Sequence, residues 1–192
     1  MKKIILIGGG GHCKSVIDVI EHEAKYKIAG IIDKPELINK KILGYPIIGN
    51  DLELENFAKK YQYALITIGH IKSSSLRIRL FDLAKSAGFL LPTIVSPKAY
   101  ISKHSKIGYG NVIMNNAIIN ANTSIGNNCI INSKALIEHD CSVNDHCHIS
   151  TNVTINGGSK IGAGCFIGSN ATIINNITIK ENSFIKAGTL FK

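Results

Sequence analysis

Residues 131–155 read INSKALIEHDCSVNDHCHISTNVTI, and every sixth position is a β-branched aliphatic: Ile131, Ile137, Val143, Ile149 and Ile155. The phase extends both ways. From Ile101 to Ile185, fifteen positions six apart hold fourteen isoleucines and Val143. No helix has a period of six. Four residues after each aliphatic, thirteen of fifteen positions are Ser, Asn, Ala, Thr or Cys, the sizes a tight inward corner admits. Cys129, Cys141, Cys147 and Cys165 fall there and read as small buried filler. Three residues after each aliphatic, eleven of fifteen are Asn or Gly, which best tolerate left-handed backbone. Each hexad is then a short strand and a turn, the grammar of a parallel β-helix.

Residues 1–90 follow another grammar. Lys3 to Gly8 reads as a buried strand, Gly8 to Gly11 as a turn, and Ser15 to Glu23 as a helix. Lys27 to Ile32, Tyr45 to Ile48 and Tyr63 to Ile68 read as strands. Asp51 to Tyr61, with Asp51 as cap, and Ser74 to Ala87 read as helices. Alternating strands and helices predict a small Rossmann-like parallel sheet, and Pro92 and Pro97 bracket its junction with the repeats. The boundaries expected are 1–96 and 97–192.

The chain of 192 residues is 45% hydrophobic and 18% charged, which excludes a disordered or collagen-like polymer. No apolar run approaches the ~20 residues of a membrane span, and the run after Lys3 stops at Gly8, too short for a signal peptide. A cytoplasmic protein without membrane insertion is the expectation. Five cysteines, an odd number, argue against a disulfide framework. A formal charge of +9, scattered and with few aromatics between, points to small phosphorylated ligands rather than nucleic acid.

Gly8-Gly9-Gly10-Gly11-His12 sits between the first strand and the first helix, where free amides can hold a phosphate. Asp33 follows the second strand, where a dinucleotide fold places its ribose-binding acid. The NAD fingerprint fails, because its third glycine position is Cys13 or Lys14. A structural turn and phosphate binding without NAD both stay open. In the repeats, three of four acids (Glu138, Asp140 and Asp145) and three of four histidines (His139, His146 and His148) crowd into residues 138–148. His139 and Asp140 occupy an outward corner, and Asp140 replaces the usual Asn or Gly of the turn. His148 is expected to face out from a flat side. The alternatives are a solvated polar corner or a metal pair at His146-x-His148. No cysteine points outward to complete such a pair, and no metal is expected.

The repeat resembles the hexapeptide-repeat acyltransferases, whose left-handed prism takes three hexads per coil. Fifteen hexads then imply five coils, roughly 24 Å tall at ~4.8 Å per strand. The combination of Gly-Gly-Gly-Gly-His-Cys-Lys-Ser-Val-Ile-Asp (8–18) with Ile-Glu-His-Asp-Cys (137–141) is similar to bacterial nucleotide-sugar N-acetyltransferases that acylate 4-amino-4,6-dideoxy sugars, and to their sialic acid O-acetyltransferase relatives. The resemblance implies a nucleotide-sugar-binding first half and an acetyl-CoA-dependent second half. By it, His139 is the catalytic base and Asp140 raises its basicity; Glu138, beside them, is a candidate to help Asp140 orient the imidazole. His148, Ser169 and Ala187 fall at acetyl-CoA contacts. Gly10, Gly11, His12, Asp33 and Gly69 fall at contacts to the nucleotide sugar, carried on UDP foremost, or on GDP or dTDP. A homotrimer with three sites between prisms is implied. Lys34 and His70 depart from the family pattern, which has aspartate and asparagine at these places in some members. An O-acetyltransferase and a non-catalytic nucleotide-sugar binder are the competing readings.

Overall fold

A computed structural model describes all 192 residues. The chain forms two compact units, one of residues 1–69 and 75–92, the other of residues 70–74 and 93–192.

The first unit is a five-stranded sheet with helices. β1 (Lys2–Ile7) is central, pairing in parallel with β2 (Tyr26–Ile32) on one side. On its other side lies β5 (Tyr63–Ile66), also parallel. β4 (Tyr45–Gly49) extends the sheet beyond β2, and β3 (Lys41–Ile42) closes that edge in the order β3-β4-β2-β1-β5. β3 is antiparallel, a departure from the expected parallel sheet. Its cause is the tight turn at Leu43 and Gly44, both with positive φ (48° and 87°), which folds the chain straight back. β1 is buried on both faces from Ile4 to Ile7, as its unbroken aliphatic run requires.

Helix α1 (Gly11–Glu23) begins at the glycines, four residues earlier than the apolar periodicity indicates. The segment expected as one helix from Asp51 is a 3₁₀ turn followed by α2 (Leu54–Ala58). Its cap is Asn50 rather than Asp51, in a capping box with Glu53. α3 spans Ser75–Ser86. The longest helix has 13 residues, and none is long and apolar enough to cross a membrane.

The second unit is a left-handed parallel β-helix. Two-residue strands recur every six residues from Ile94–Val95 to Leu190–Phe191 and stack into three flat faces. Face one holds the strands from Ile94–Val95 to Phe184–Ile185, face two those from Tyr100–Ile101 to Leu190–Phe191, and face three those from Lys106–Ile107 to Thr178–Ile179. Strand partners are 18 residues apart, so one coil is three hexads. The stack exceeds the expected fifteen hexads by one strand at each end, because Val95 and Phe191 keep the inward phase. The isoleucine columns fill the interior, and all four repeat cysteines are buried among them. Truncating one such isoleucine to alanine costs about 2–5 kcal/mol.

Fourteen of the fifteen turn positions from His104 to Gly188 have positive φ, His104 being the exception. The Asn and Gly preference is therefore a backbone requirement. Asp140 (φ 61°) and His146 (φ 63°) meet it without being either.

Candidate active site

Residues 138–141 turn the corner from face two to face three. His139 Nδ1 lies 2.7 Å from Asp140 Oδ2. The carboxylate can only accept, so Nδ1 donates, and in the neutral imidazole the lone pair then lies on Nε2. Both side chains are open to solvent, at 62% and 54% of full exposure. The other Asp140 oxygen, Oδ1, accepts from Asn122 Nδ2 at 2.6 Å. These bonds, Asn122's first and His139's second, hold the Asp140 carboxyl below the usual carboxylate range. Glu138 Oε2 accepts from Asn120 Nδ2 at 2.8 Å.

The ring of His139 rests over bare backbone. A Cβ on Gly157, one coil along, would stand 2.7 Å from Cε1 and 2.9 Å from Nε2 of the imidazole. Gly157 is the only glycine among the fifteen equivalent positions from Lys103 to Ala187.

His148 points outward from face one, yet only 8% of it is exposed, which corrects the expectation of an open face. The reason is the segment 70–74, which packs with this unit. His148 Nδ1 donates to the carbonyl of His70 at 2.7 Å, and Nε2 accepts from Asn132 Nδ2 at 3.3 Å. The rings of His70 and Phe166 meet it edge-on, at 5.5 and 5.2 Å. Ser169 and Ala187 occupy the corner between faces one and two, where Ser169 Oγ meets Ser150 Oγ at 2.9 Å. They therefore lie at the opposite edge of face two from His139. Along that face Tyr100, Ile118 and Leu190 are exposed apolar side chains.

The inward cysteines are all buried in the prism interior, away from the outward corner. Cys129, Cys147 and Cys165 occur one coil apart, and the two flanking thiols together with burial push the Cys147 thiol far up. No group of three His, Cys, Asp or Glu could hold a metal ion.

In the first unit, the sheet order reverses at β1, so the crevice beyond the carboxyl ends of β1 and β5 is the place for a ligand. The four glycines at its rim divide in two. Gly8 has φ 103° and packs against Ile68, and Gly9 packs against Ile42. Around Gly10 and Gly11 no atom stands within 4 Å of where a Cβ would be. Gly10 caps α1 with no side-chain bond, and the first turn of the helix holds no acid. Gly69 sits 3.8 Å from His12 Cβ by the same measure. Asp33 does not project freely: Oδ2 accepts from Gly9 N at 2.6 Å and Oδ1 from Lys34 N at 2.7 Å. It thereby sets the glycine loop.

Sequence reasoning missed Arg77, which is fully buried in this unit. Its Nη1 donates to the carbonyls of Ile66 (2.9 Å) and Ile68 (2.6 Å), fixing the exit of β5 before Gly69.

Residues 3–82 match the PglD N-terminal domain, and residues 122–157 and 158–192 match the bacterial transferase hexapeptide (six repeats). The solved structure of PerB from Caulobacter crescentus in complex with CoA and GDP-perosamine is 31% identical, with a TM-score of 0.90 over 98% of this chain and 87% of that one. The chain belongs to the hexapeptide-repeat nucleotide-sugar N-acetyltransferases. The acetyltransferase domain of PglB from Neisseria gonorrhoeae, in complex with acetyl coenzyme A, is 26% identical with a TM-score of 0.92, covering 100% of this acetyltransferase and 91% of that chain. WeeI from Acinetobacter baumannii, at 19% identity and a TM-score of 0.57, shares the fold. No curated protein matches the chain.

Proposed function

We propose that this sugar N-acetyltransferase moves the acetyl group of acetyl-CoA to the 4-amino group of a nucleotide-linked 4-amino-4,6-dideoxy sugar, with His139 as general base. The observation that carries this is the His139–Asp140 pair: an exposed imidazole whose Nδ1 is held by a carboxylate, which leaves Nε2 as the basic nitrogen of the neutral ring. The amine nitrogen attacks the thioester carbonyl, His139 Nε2 takes its proton, and as the C–S bond breaks the imidazolium returns that proton to the departing sulfur, so the coenzyme leaves as thiol. Asp140 orients the ring and stabilises the imidazolium. Glu138, held by Asn120, adds negative charge beside the pair for an incoming ammonium.

Gly10, Gly11, His12 and Gly69, with Asp33 shaping the loop, are assigned to the nucleotide sugar. A helix start with no capping side chain, no acid and free space beside Gly10 and Gly11 suits its diphosphate. UDP is the first candidate, and GDP joins it because PerB is solved with GDP-perosamine. Ser169, Ala187 and His148 are assigned to acetyl-CoA. His139 and the Ser169–Ala187 corner lie at opposite edges of face two, so a second copy seated on its exposed apolar strip would complete the site. That favours a homotrimer packed through the prisms.

The test is free-thiol release from acetyl-CoA with UDP-, GDP- and dTDP-linked 4-amino sugars. Turnover with one of them, abolished in His139→Asn, supports the reading. Release with none, or with hydroxyl-only sugars instead, overturns it.

A further inference from the structure

His139 and Asp140 are neighbours on an exposed turn. An exposed ion pair of this kind contributes too little to hold both side chains in one rotamer. Something else must keep the carboxylate aimed at the ring.

The turn corners of this prism carry side-chain ladders with a rung every 18 residues. In each described pair the amide of one rung is offered to the rung 18 residues later. Asn152 Nδ2 donates to Asn170 Oδ1 at 2.7 Å, and Asn128 Nδ2 meets His146 Nδ1 at 3.0 Å. Asn122 and Asp140 are two such rungs, and here the ladder changes chemistry. Asp140 accepts from Asn122 but has no N–H to pass on. The next rung is Gly158, with no side-chain oxygen that would face the carboxylate unpaired. The aspartate thus ends the ladder: Oδ1 is committed to Asn122, and Oδ2 is left for His139.

We propose that Asn122 is a positioning residue of the catalytic site, one that acts through Asp140 by clamping its carboxylate in the orientation that fixes the His139 tautomer. This rests on the reading of His139 as base. Asn122 touches no reacting atom.

The test is a double-mutant cycle on kcat. Asn122→Gly removes the amide and accepts the φ of 59° that this turn requires, and Asn122→Ala serves as the second variant. We expect Asn122→Gly to lower kcat about five-fold, with both KM values and the melting temperature kept, and to have no further effect in an Asp140→Ala background. In ¹³C spectra the Asp140 carboxyl should titrate higher in Asn122→Gly than in the wild type, because its largest stabilising bond is gone. An equal loss in both backgrounds would mean a merely structural role and overturn the proposal. So would full kcat in Asn122→Gly and Asn122→Ala. If Asp140→Ala itself keeps full turnover, the His139–Asp140 reading fails first, an outcome separable from the other two.

Discussion

The two units reveal their function by opposite means. In the prism each coil repeats the last, so a functional residue shows as a break in a rule. His139 rises over the only glycine of its column, and Asp140 is the one acid in a column of turns that are mostly Asn or Gly. In the α/β unit nothing repeats. Four consecutive glycines look alike in sequence, and only packing separates Gly8 and Gly9, which touch neighbours, from Gly10 and Gly11, which face open space. A repetitive scaffold makes side-chain chemistry conspicuous, whereas an irregular one hides it in backbone geometry.

The largest expected effect tests the prism's side of that contrast. His139→Asn keeps hydrogen-bonding capacity but cannot take a proton near neutrality, so kcat should fall ~10²–10⁴-fold with both ligands still binding. Near-normal turnover in a folded variant would make the corner structural. His148 is a weak replacement, since both of its ring nitrogens are engaged. Next comes Gly157→Ala. Its methyl group would intrude on the imidazole, and an exposed ring yields more easily than a stacked coil. We expect a roughly ten- to hundred-fold loss in kcat from misplacement of the base, with melting temperature little changed. Unchanged kcat would show that the ring does not need its bare floor.

How much was legible beforehand follows from the same contrast. The hexads expose the prism and the corner at 138–140 because isoleucine phasing and turn identity are local patterns. Asn122 is invisible at that level. It becomes a neighbour of Asp140 only once 18 residues make a coil, and it obeys the turn rule it sits in. The burial of His148 depends on residues 70–74, some 75 positions away, which no periodicity announces. Nothing in the sequence separates Arg77 from the other cations of α3, yet it is fully buried against two backbone carbonyls. Its role comes from tertiary packing. The start of α1 lies in the glycines because helical backbone there is set by the turn, whereas the apolar stripe begins later.

A smaller effect is expected in the first unit. His12→Ala should raise the KM for the nucleotide sugar about ten-fold while acetyl-CoA binding is kept, a loss the size of one hydrogen bond to a charged ligand group. Loss of coenzyme binding instead would break the division of labour between the units.

The smallest effect is the sharpest probe of the glycine loop, because its two parts have opposite signs. Gly11 is the first residue of α1, its φ is not positive, and no atom stands within 4 Å of a Cβ placed there. Alanine should therefore fit, and by restricting the unfolded chain it should stabilise the fold by up to about 0.5–1 kcal/mol. The same methyl group would stand in the open space before the helix amides. If a diphosphate approaches that backbone, the KM for the nucleotide sugar should rise several-fold in a protein that melts at a higher temperature. Gly8→Ala supplies the contrast: φ is 103° and Ile68 is in the way, so stability should fall. A Gly11→Ala variant that is more stable and binds the sugar nucleotide as well as the wild type would show that the bare amides serve only the turn.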